Sequence, residues 1–164
     1  MTTFLVVDNV LSADEMLATY EYFKDLRDGN STWVDKDSQV PFPLEKIISM
    51  VSKTFDLSDA LGYECWSHLN TRASWHVDKD EAAWITERKL MHPLCSIVYY
   101  PLIKNMTGGR FVTKSHLVVP RENRLIAFSP ALQHAAEIFK GERMSCAINP
   151  WIYKPASYSD NNNK

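Results

Sequence analysis

The sequence Glu142-Arg-Met-Ser-Cys-Ala-Ile-Asn-Pro-Trp-Ile152 is predicted to form a β-strand whose two faces differ in character. Successive side chains of a strand point to opposite faces. One face therefore carries Arg143, Ser145, Ala147, Asn149 and Trp151, and the other carries Met144, Cys146 and Ile148. An arginine facing the interior of a barrel is costly unless it pairs with an anion. Because the strand has no obvious acidic partner for Arg143, we expect a bound carboxylate, held by the guanidinium fork and by Ser145.

Short β-type segments separated by turn residues precede this strand from Tyr63 onward. Strands are predicted at 63–70, 73–78, 94–100, 109–113, 116–119, 124–128, 133–139 and 142–152. Breaks are predicted at Pro101, Gly108-Gly109, Pro120, Ser129-Pro130 and Lys140-Gly141. Strands at roughly ten-residue spacing favour a β-sandwich or a jelly-roll barrel.

The N-terminal third of the chain is predicted to be mainly helical after a short opening strand at 4–7. Ser12 and Glu15 have the spacing of a capping box, which begins the first helix. Pro41 and Pro43 precede a second helix whose apolar residues recur at helical spacing. We expect both helices to cover one side of a sheet.

Length and composition indicate one globular domain. The chain has 164 residues, of which 45% are hydrophobic and 23% are charged. We predict a single domain over 1–164, with a helical support at 1–62, a β core at 63–153 and a tail at 154–164.

The charge balance disfavours two classes of partner. Eighteen Lys and Arg against 20 Asp and Glu give a net charge of −2, whereas nucleic-acid phosphates and anionic membranes require a basic surplus. No apolar run reaches the ~20 residues of a membrane span, and the N-terminus lacks the order of a signal peptide. The three cysteines are far apart and form no CxxC pair. We therefore expect free thiols and a cytoplasmic protein.

The segment Trp75-His-Val-Asp78 is the first candidate metal motif. His76 and Asp78 lie two residues apart, so on a strand they project from the same face and can bind one ion together. His134, which follows a predicted tight turn, is the candidate for a second imidazole. Two histidines and one carboxylate form the facial triad of non-haem Fe(II) oxygenases. The remaining histidines have no spacing that requires a metal and are predicted to be structural: His68, His92 and His116.

The region from Trp75 to Trp151 resembles the Fe(II)/2-oxoglutarate-dependent dioxygenases, particularly their prolyl-4-hydroxylase-like branch. The matching segments cover about half the chain in the order of the family. They are Trp75-His-Val-Asp-Lys-Asp-Glu81, Ser96-Ile-Val-Tyr-Tyr-Pro101, Gly108-Gly-Arg-Phe111, Asn123-Arg-Leu-Ile-Ala-Phe128, His134 and Gly141-Glu-Arg-Met-Ser-Cys-Ala-Ile-Asn-Pro-Trp151. The family fold is a double-stranded β-helix with helices packed on its major sheet, which agrees with the layout predicted above.

The resemblance implies a catalytic metal site. It assigns Fe(II) to His76, Asp78 and His134, and the distal carboxylate of the cosubstrate 2-oxoglutarate to Arg143 and Ser145.

A tyrosine after the metal motif often assists the cosubstrate in this family. Tyr99 and Tyr100 both fit, and Tyr99 is preferred. Asn70, on the strand before the motif, is a further candidate for contacting 2-oxoglutarate.

The activity implied by the resemblance is hydroxylation of a C–H bond. O2 and 2-oxoglutarate are consumed, succinate and CO2 are produced, and ascorbate is expected as a reductant. The substrate is a peptide, a protein or a small molecule. Many prolyl hydroxylases have lysine at the position of Arg143, so the resemblance does not identify the substrate as prolyl.

Two other functions are compatible with the same residues. One is oxidative demethylation of nucleic acid, which the acidic charge and the absence of an arginine-rich motif after Ser145 disfavour. The other is a non-catalytic barrel that binds a metal or a small acid. A complete set of three metal ligands together with Arg143 argues against that function, because degenerate relatives tend to lose one of them.

Overall fold

The computed structural model describes residues 3–158 and is built on two antiparallel sheets. Its strands are β1 (Phe4–Asp8), β2 (Ser31–Asp35), β3 (Gly62–Leu69), β4 (Ala73–His76), β5 (Ser96–Gly108), β6 (Phe111–Thr113), β7 (Leu117–Val118), β8 (Arg124–Phe128), β9 (His134–Ala136) and β10 (Phe139–Trp151). Its helices are α1 (Ala13–Phe23), α2 (Phe42–Val51), α3 (Glu81–Glu87) and a 3-10 turn (Ala156–Tyr158). The large sheet has the order β1-β8-β5-β10-β3-β2, and the small sheet has the order β4-β9-β6-β7.

The large sheet is covered by α1 and α2 on one face, as predicted. The main core joins buried residues of both helices to the outward side chains of β3, β5 and β10; they include Phe23, Leu44, Ile47, Val51, Cys65, Tyr99, Met144, Cys146 and Ile148. A second core lies between the sheets and takes residues from β5, β6, β7 and β8, among them Tyr100, Phe111 and Phe128. The predicted fold class, mainly β with helices on the major sheet, is confirmed.

Helix α1 begins as its sequence predicts. The Ser12 side chain accepts a hydrogen bond from the Glu15 backbone N–H, and the Glu15 carboxylate accepts one from the Ser12 N–H at 2.7 Å. Each side chain thereby satisfies a backbone donor that the first helical turn leaves without a partner. Glu15 also pairs with Lys46 of α2 at 2.8 Å, which ties the two helices together.

Two predicted strand breaks are wrong. β5 continues through Pro101 and β10 continues through Gly141, and each strand has 13 residues. Register shifts explain both. Pro101 lies opposite the shift between Met144 and Cys146, where a residue need not donate to the ladder. Gly141 has φ +100 at the other shift, and a Cβ there would lie 2.4 Å from a backbone carbonyl oxygen.

The N-terminal third contains a strand that the sequence analysis missed. Strand β2 pairs with β3 and forms one edge of the large sheet, whereas the predicted opening strand β1 pairs with β8 at the other edge. The segment 1–62 therefore contributes strands as well as helical support. None of the helices within residues 3–158 combines the length and apolar character needed to cross a bilayer. Residues 159–164 of the predicted tail lie outside the described residues.

Asn123 connects the start of α1 to the large sheet. Its side-chain oxygen accepts hydrogen bonds from the Leu11 N–H and from the Tyr99 hydroxyl, each at 2.9 Å, and its amide donates to the Leu11 carbonyl at 2.7 Å. Asn123 also has φ +62, a left-handed conformation that asparagine tolerates better than most residues.

We predict that Asn123→Ala lowers the free energy of unfolding by about 2–3 kcal/mol, because partly buried hydrogen bonds are lost. Asn105→Ala is the matched control, since Asn105 also has a positive φ but is exposed and makes no such side-chain bonds among the described residues. Urea unfolding of both variants measures the difference. An equal loss in the two variants would show that backbone strain, not the hydrogen bonds, is responsible.

Candidate metal and carboxylate site

The three predicted metal ligands lie together. One ligand atom from each of His76, Asp78 and His134 lies within 4.8 Å of the others. Asp78 Oδ1 is 3.6 Å from His76 Nε2 and 3.8 Å from His134 Nε2. The two histidines are register partners on β4 and β9, so the pairing of the small sheet sets their spacing. Asp78 lies two residues beyond the end of β4 and completes the group.

Backbone hydrogen bonds orient both imidazoles. The His76 Nδ1 lies 2.7 Å from the Ser74 carbonyl oxygen, and the His134 Nδ1 lies 2.9 Å from the Leu132 carbonyl oxygen. A carbonyl can only accept, so each Nδ1 is the protonated nitrogen and each Nε2 is left as a ligand. Burial lowers the pKa of His134 and so favours the neutral imidazole that metals bind.

Asp78 is held in place through its backbone. Its N–H donates to the Pro130 carbonyl at 3.2 Å, and its carbonyl accepts a hydrogen bond from the His92 Nδ1 at 2.5 Å. His92, predicted to be structural, thus supports the loop that carries a metal ligand. The Asp78 carboxylate is left free to face the two imidazoles.

The donor set fits Fe(II). Two imidazole nitrogens and one carboxylate oxygen form the facial set of non-haem iron oxygenases, whereas a structural zinc site has a closed set of four ligands. Within residues 3–158 this is the one group of three or more His, Cys, Asp or Glu with the required spacing. All three cysteines are buried free thiols outside it.

Arg143 is buried, and no carboxylate within residues 3–158 pairs with it. Only 2% of the residue is exposed. Its guanidinium donates to the carbonyls of Gly109 at 3.1 Å and Thr71 at 2.7 Å, and its Nε has no hydrogen-bond partner in the described part of the chain. It also lies over the Phe139 ring, 4.2 Å from the centroid. Burial lowers the pKa of Arg143, which reflects the cost of its desolvated charge.

The cavity around Arg143 reaches the metal ligands. Its walls include all three of them, and also Ser145, Tyr100, Val98, Phe111 and Ala147. Ser145 lies on the same face of β10 as Arg143, as the alternation predicted. We therefore call this space the clamp cavity. It offers one buried cation, the hydroxyl groups of Ser145 and Tyr100, and apolar walls beside the predicted metal ligands.

The expected role of Tyr99 needs correction. Its side chain is fully buried in the core beneath the helices, and its hydroxyl donates to Asn123. Tyr100 points to the other face of β5 and lines the clamp cavity. Adjacent residues of a strand face opposite sides, so only one of the two could reach the site. Burial raises the pKa of Tyr100 to about 12, so its hydroxyl remains a donor at neutral pH.

Asn70 also lies outside the cavity that its expected role requires. It is exposed, has φ +56 and does not line the clamp cavity. Its backbone N–H donates to the Arg143 carbonyl and its side-chain oxygen accepts from the Arg143 N–H, both at 2.9 Å. Asn70 therefore fastens the end of β3 to β10 and supports the backbone of Arg143.

Sequence reasoning missed two cavity residues on β3. Trp66 and His68 line the clamp cavity, and they are the register partners of Ala147 and Ser145. Their period-two spacing was visible, but only the register between β3 and β10 shows which face of β3 meets the site. His68, predicted to be structural, is thus a wall residue.

Similarity to known proteins is found at the level of solved structures. No protein-family model matches the sequence, and no curated protein matches it. Among solved structures, the 2-oxoglutarate complex of the viral collagen prolyl hydroxylase of Paramecium bursaria Chlorella virus-1 is similar. It has a TM-score of 0.65 and 16% identity over 92% of this chain and 96% of that one.

Two bacterial structures are also similar. A Pseudomonas putida prolyl-4-hydroxylase has a TM-score of 0.64 and 16% identity, with 94% of this chain and 90% of that one covered. HygX from Streptomyces hygroscopicus, solved with nickel and 2-oxoglutarate bound, has a TM-score of 0.54 and 14% identity over 94% and 85% of the two chains.

The chain has the double-stranded β-helix fold of the Fe(II)/2-oxoglutarate oxygenases. The resemblance that the sequence motifs indicated is thus confirmed at the level of the fold, and it extends over nearly the whole chain.

Glu64 is a half-buried carboxyl group near His76 and Asp78. Its oxygens accept hydrogen bonds from the Trp151 indole N–H at 3.1 Å and from the Tyr158 hydroxyl at 3.3 Å. Burial, with smaller contributions from the charges of Asp78 and Asp80, raises the pKa of Glu64 from 4.5 to about 7. The folded protein therefore holds a proton on Glu64 at pH values where the unfolded chain has lost it.

We predict that this group makes the metal-free protein less stable as pH rises. A raised carboxyl pKa destabilises the fold progressively between pH 4.5 and about pH 7. Glu64→Gln should remove this slope, which amounts to roughly 3 kcal/mol at most. Urea unfolding from pH 5 to pH 8 measures it, with exposed Glu87→Gln as a control that keeps the slope. Parallel pH profiles for wild type and Glu64→Gln would contradict the prediction.

Proposed function

We propose that the chain is an Fe(II)- and 2-oxoglutarate-dependent oxygenase that hydroxylates a C–H bond. His76, Asp78 and His134 hold the iron, and Arg143 holds the distal carboxylate of 2-oxoglutarate. The observation that carries the proposal is the buried guanidinium without a carboxylate partner in the same cavity as the two-histidine and one-carboxylate group. A dicarboxylate that reaches from the metal to Arg143 would satisfy both.

The residues of the clamp cavity have distinct parts in this proposal. Arg143 offers the Nε–H that lacks an acceptor, and its fork matches the geometry of a carboxylate. Ser145 and Tyr100 offer hydroxyl groups from the same walls. Together they fix the cosubstrate at one end, so that its other end lies at the metal ligands.

The metal ligands are prepared before binding. The two Nδ1–H groups are bound to backbone carbonyls, so the Nε2 atoms need not change tautomer. Apolar walls formed by Val98, Phe111 and Ala147 limit water around the cosubstrate. When bound, Fe(II) and 2-oxoglutarate would supply oxidative chemistry that consumes O2 and releases succinate and CO2, with ascorbate as a reductant.

A peptide or protein is the substrate class that the similar structures favour, since two of them are named prolyl hydroxylases. A small molecule is the second class, because similarity at 14–16% identity supports the fold and does not select the substrate. The formal net charge of −2 disfavours a nucleic-acid substrate.

We predict that the purified protein forms succinate from 2-oxoglutarate only when Fe(II), O2 and a reductant are present. His134→Ala should abolish this turnover, because two ligands cannot hold the metal in the same geometry. His116→Ala is the control, since His116 stacks on Phe4 outside the group. Succinate and bound iron are measured for each variant. Wild-type turnover in His134→Ala would end the proposal.

We predict that Arg143→Lys raises the KM for 2-oxoglutarate at least about tenfold, because a single ammonium cannot reproduce the guanidinium fork. Iron binding should remain unchanged, since Arg143 is not a metal ligand. Arg110→Lys is the control, because Arg110 pairs with Glu137 on the exposed surface. An unchanged KM in Arg143→Lys would place the cosubstrate elsewhere.

A further inference from the structure

A second cavity of about 300 Å³ borders His76 and Asp78 beyond the clamp cavity. The two cavities share Trp66, His68, His76 and Asp78 in their walls, but Arg143 and Ser145 line only the clamp cavity. The second cavity is instead lined by Glu64 and Asn149, and we call it the acceptor cavity.

Glu64 and Asn149 meet because they are register partners on β3 and β10. Asn149 lies six residues beyond Arg143 on the same face of β10, a separation of roughly 20 Å along a strand. The interior face of the large sheet thus carries a cation at one end and oxygen acceptors at the other. His76 and Asp78 border both cavities between these ends.

The acceptors of this cavity are not used up within residues 3–158. Asn149 is 2% exposed, and its side-chain oxygen has no hydrogen-bond partner there. Glu64 accepts from Trp151 and Tyr158, which leaves part of the roughly four acceptor positions of a carboxylate open. An unpartnered buried acceptor costs free energy until a donor reaches it.

The lysine in the cavity wall does not form an ion pair with Glu64. Lys79 lines the cavity, but its ammonium pairs with Glu81 at 2.7 Å. No lysine, arginine or histidine of the described region forms an ion pair with Glu64, and no carboxylate of that region forms one with Arg143. Glu64 and Arg143 therefore each lack an oppositely charged partner within residues 3–158.

We propose that the acceptor cavity binds a cationic nitrogen of the substrate, an alkylammonium group that donates to Glu64 and Asn149. This inference rests on the proposed function, since it assigns the substrate class of the same site. Trp66 adds an aromatic surface in the cavity wall, which attracts cations. The raised pKa of Glu64 agrees, because a bound cation would relieve the cost of ionising a buried carboxyl group.

Two probes of equal size test the inference. n-Butylammonium and 1-butanol differ in charge and not in carbon chain, and both are titrated into protein that carries Zn(II) in place of Fe(II) with 2-oxoglutarate present. Binding is followed by the NMR signal of the Trp66 indole N–H, assigned with Trp66→Phe. We expect saturable binding of n-butylammonium and at least about tenfold weaker binding of 1-butanol, since charge-assisted hydrogen bonds are the stronger ones.

Matched variants locate the cation. Glu64→Gln should weaken n-butylammonium binding at least about tenfold, whereas Glu87→Gln should leave it unchanged, because Glu87 is exposed and lines neither cavity. Equal binding of the two probes to the wild type overturns the inference and does not depend on how any variant folds. Undiminished n-butylammonium binding in Glu64→Gln, as expected for an amine on the zinc, also overturns it.

Two measurements on the same protein distinguish failure of this inference from failure of the proposed function. Succinate formation without added amine depends on the metal ligands and Arg143, whereas probe selectivity depends on Glu64. Loss of the first with selectivity retained removes the oxygenase proposal alone. Turnover without selectivity for the cation removes the substrate inference alone.

Discussion

Burial of the Arg143 guanidinium is the constraint on which the rest of the site depends. β10 pairs with both β3 and β5 in the middle of the large sheet, so the side chain cannot turn toward solvent. Strand alternation directs it into the space between the sheets, where a desolvated charge without an acid is costly. The carbonyls of Gly109 and Thr71 satisfy part of its donors and leave the Nε–H unpaired. An anionic ligand relieves the cost that remains.

The small sheet positions the two histidines of the site. Its pairing sets His76 opposite His134, and backbone carbonyls choose the tautomer of each ring. Most of this support comes from the backbone, which side-chain substitution alters little. The same fold occurs in structures that share only 14–16% of their residues with this chain. A framework of backbone contacts explains how so few shared residues are compatible with one arrangement.

The interior of the large sheet is electrostatically polarised along a single strand. Arg143 lies toward one end of β10, and Asn149 with its partner Glu64 lies toward the other. His76 and Asp78 border the cavities at both ends. In the proposed enzyme this order would place an anionic cosubstrate and a cationic substrate at opposite ends of the same sheet face.

The sequence by itself determined the alternation of the 142–152 strand, the helix start at Ser12 and Glu15, and the pairing of His76 with Asp78 two residues apart. These are local properties, since periodicity, capping and short spacing act within a few residues. The same alternation predicted that Arg143 faces the interior, because the segment around it is mostly apolar.

Only the tertiary structure showed that Tyr100 and not Tyr99 lines the clamp cavity, and that Asn70 bonds to the backbone of Arg143. It also showed that β5 continues through Pro101. It also placed Glu64 against Asn149, although 85 residues separate them in the chain. The physical reason is register. The face a strand turns to the site, and the partner it meets there, depend on pairing between distant segments, which the pattern within one segment does not encode.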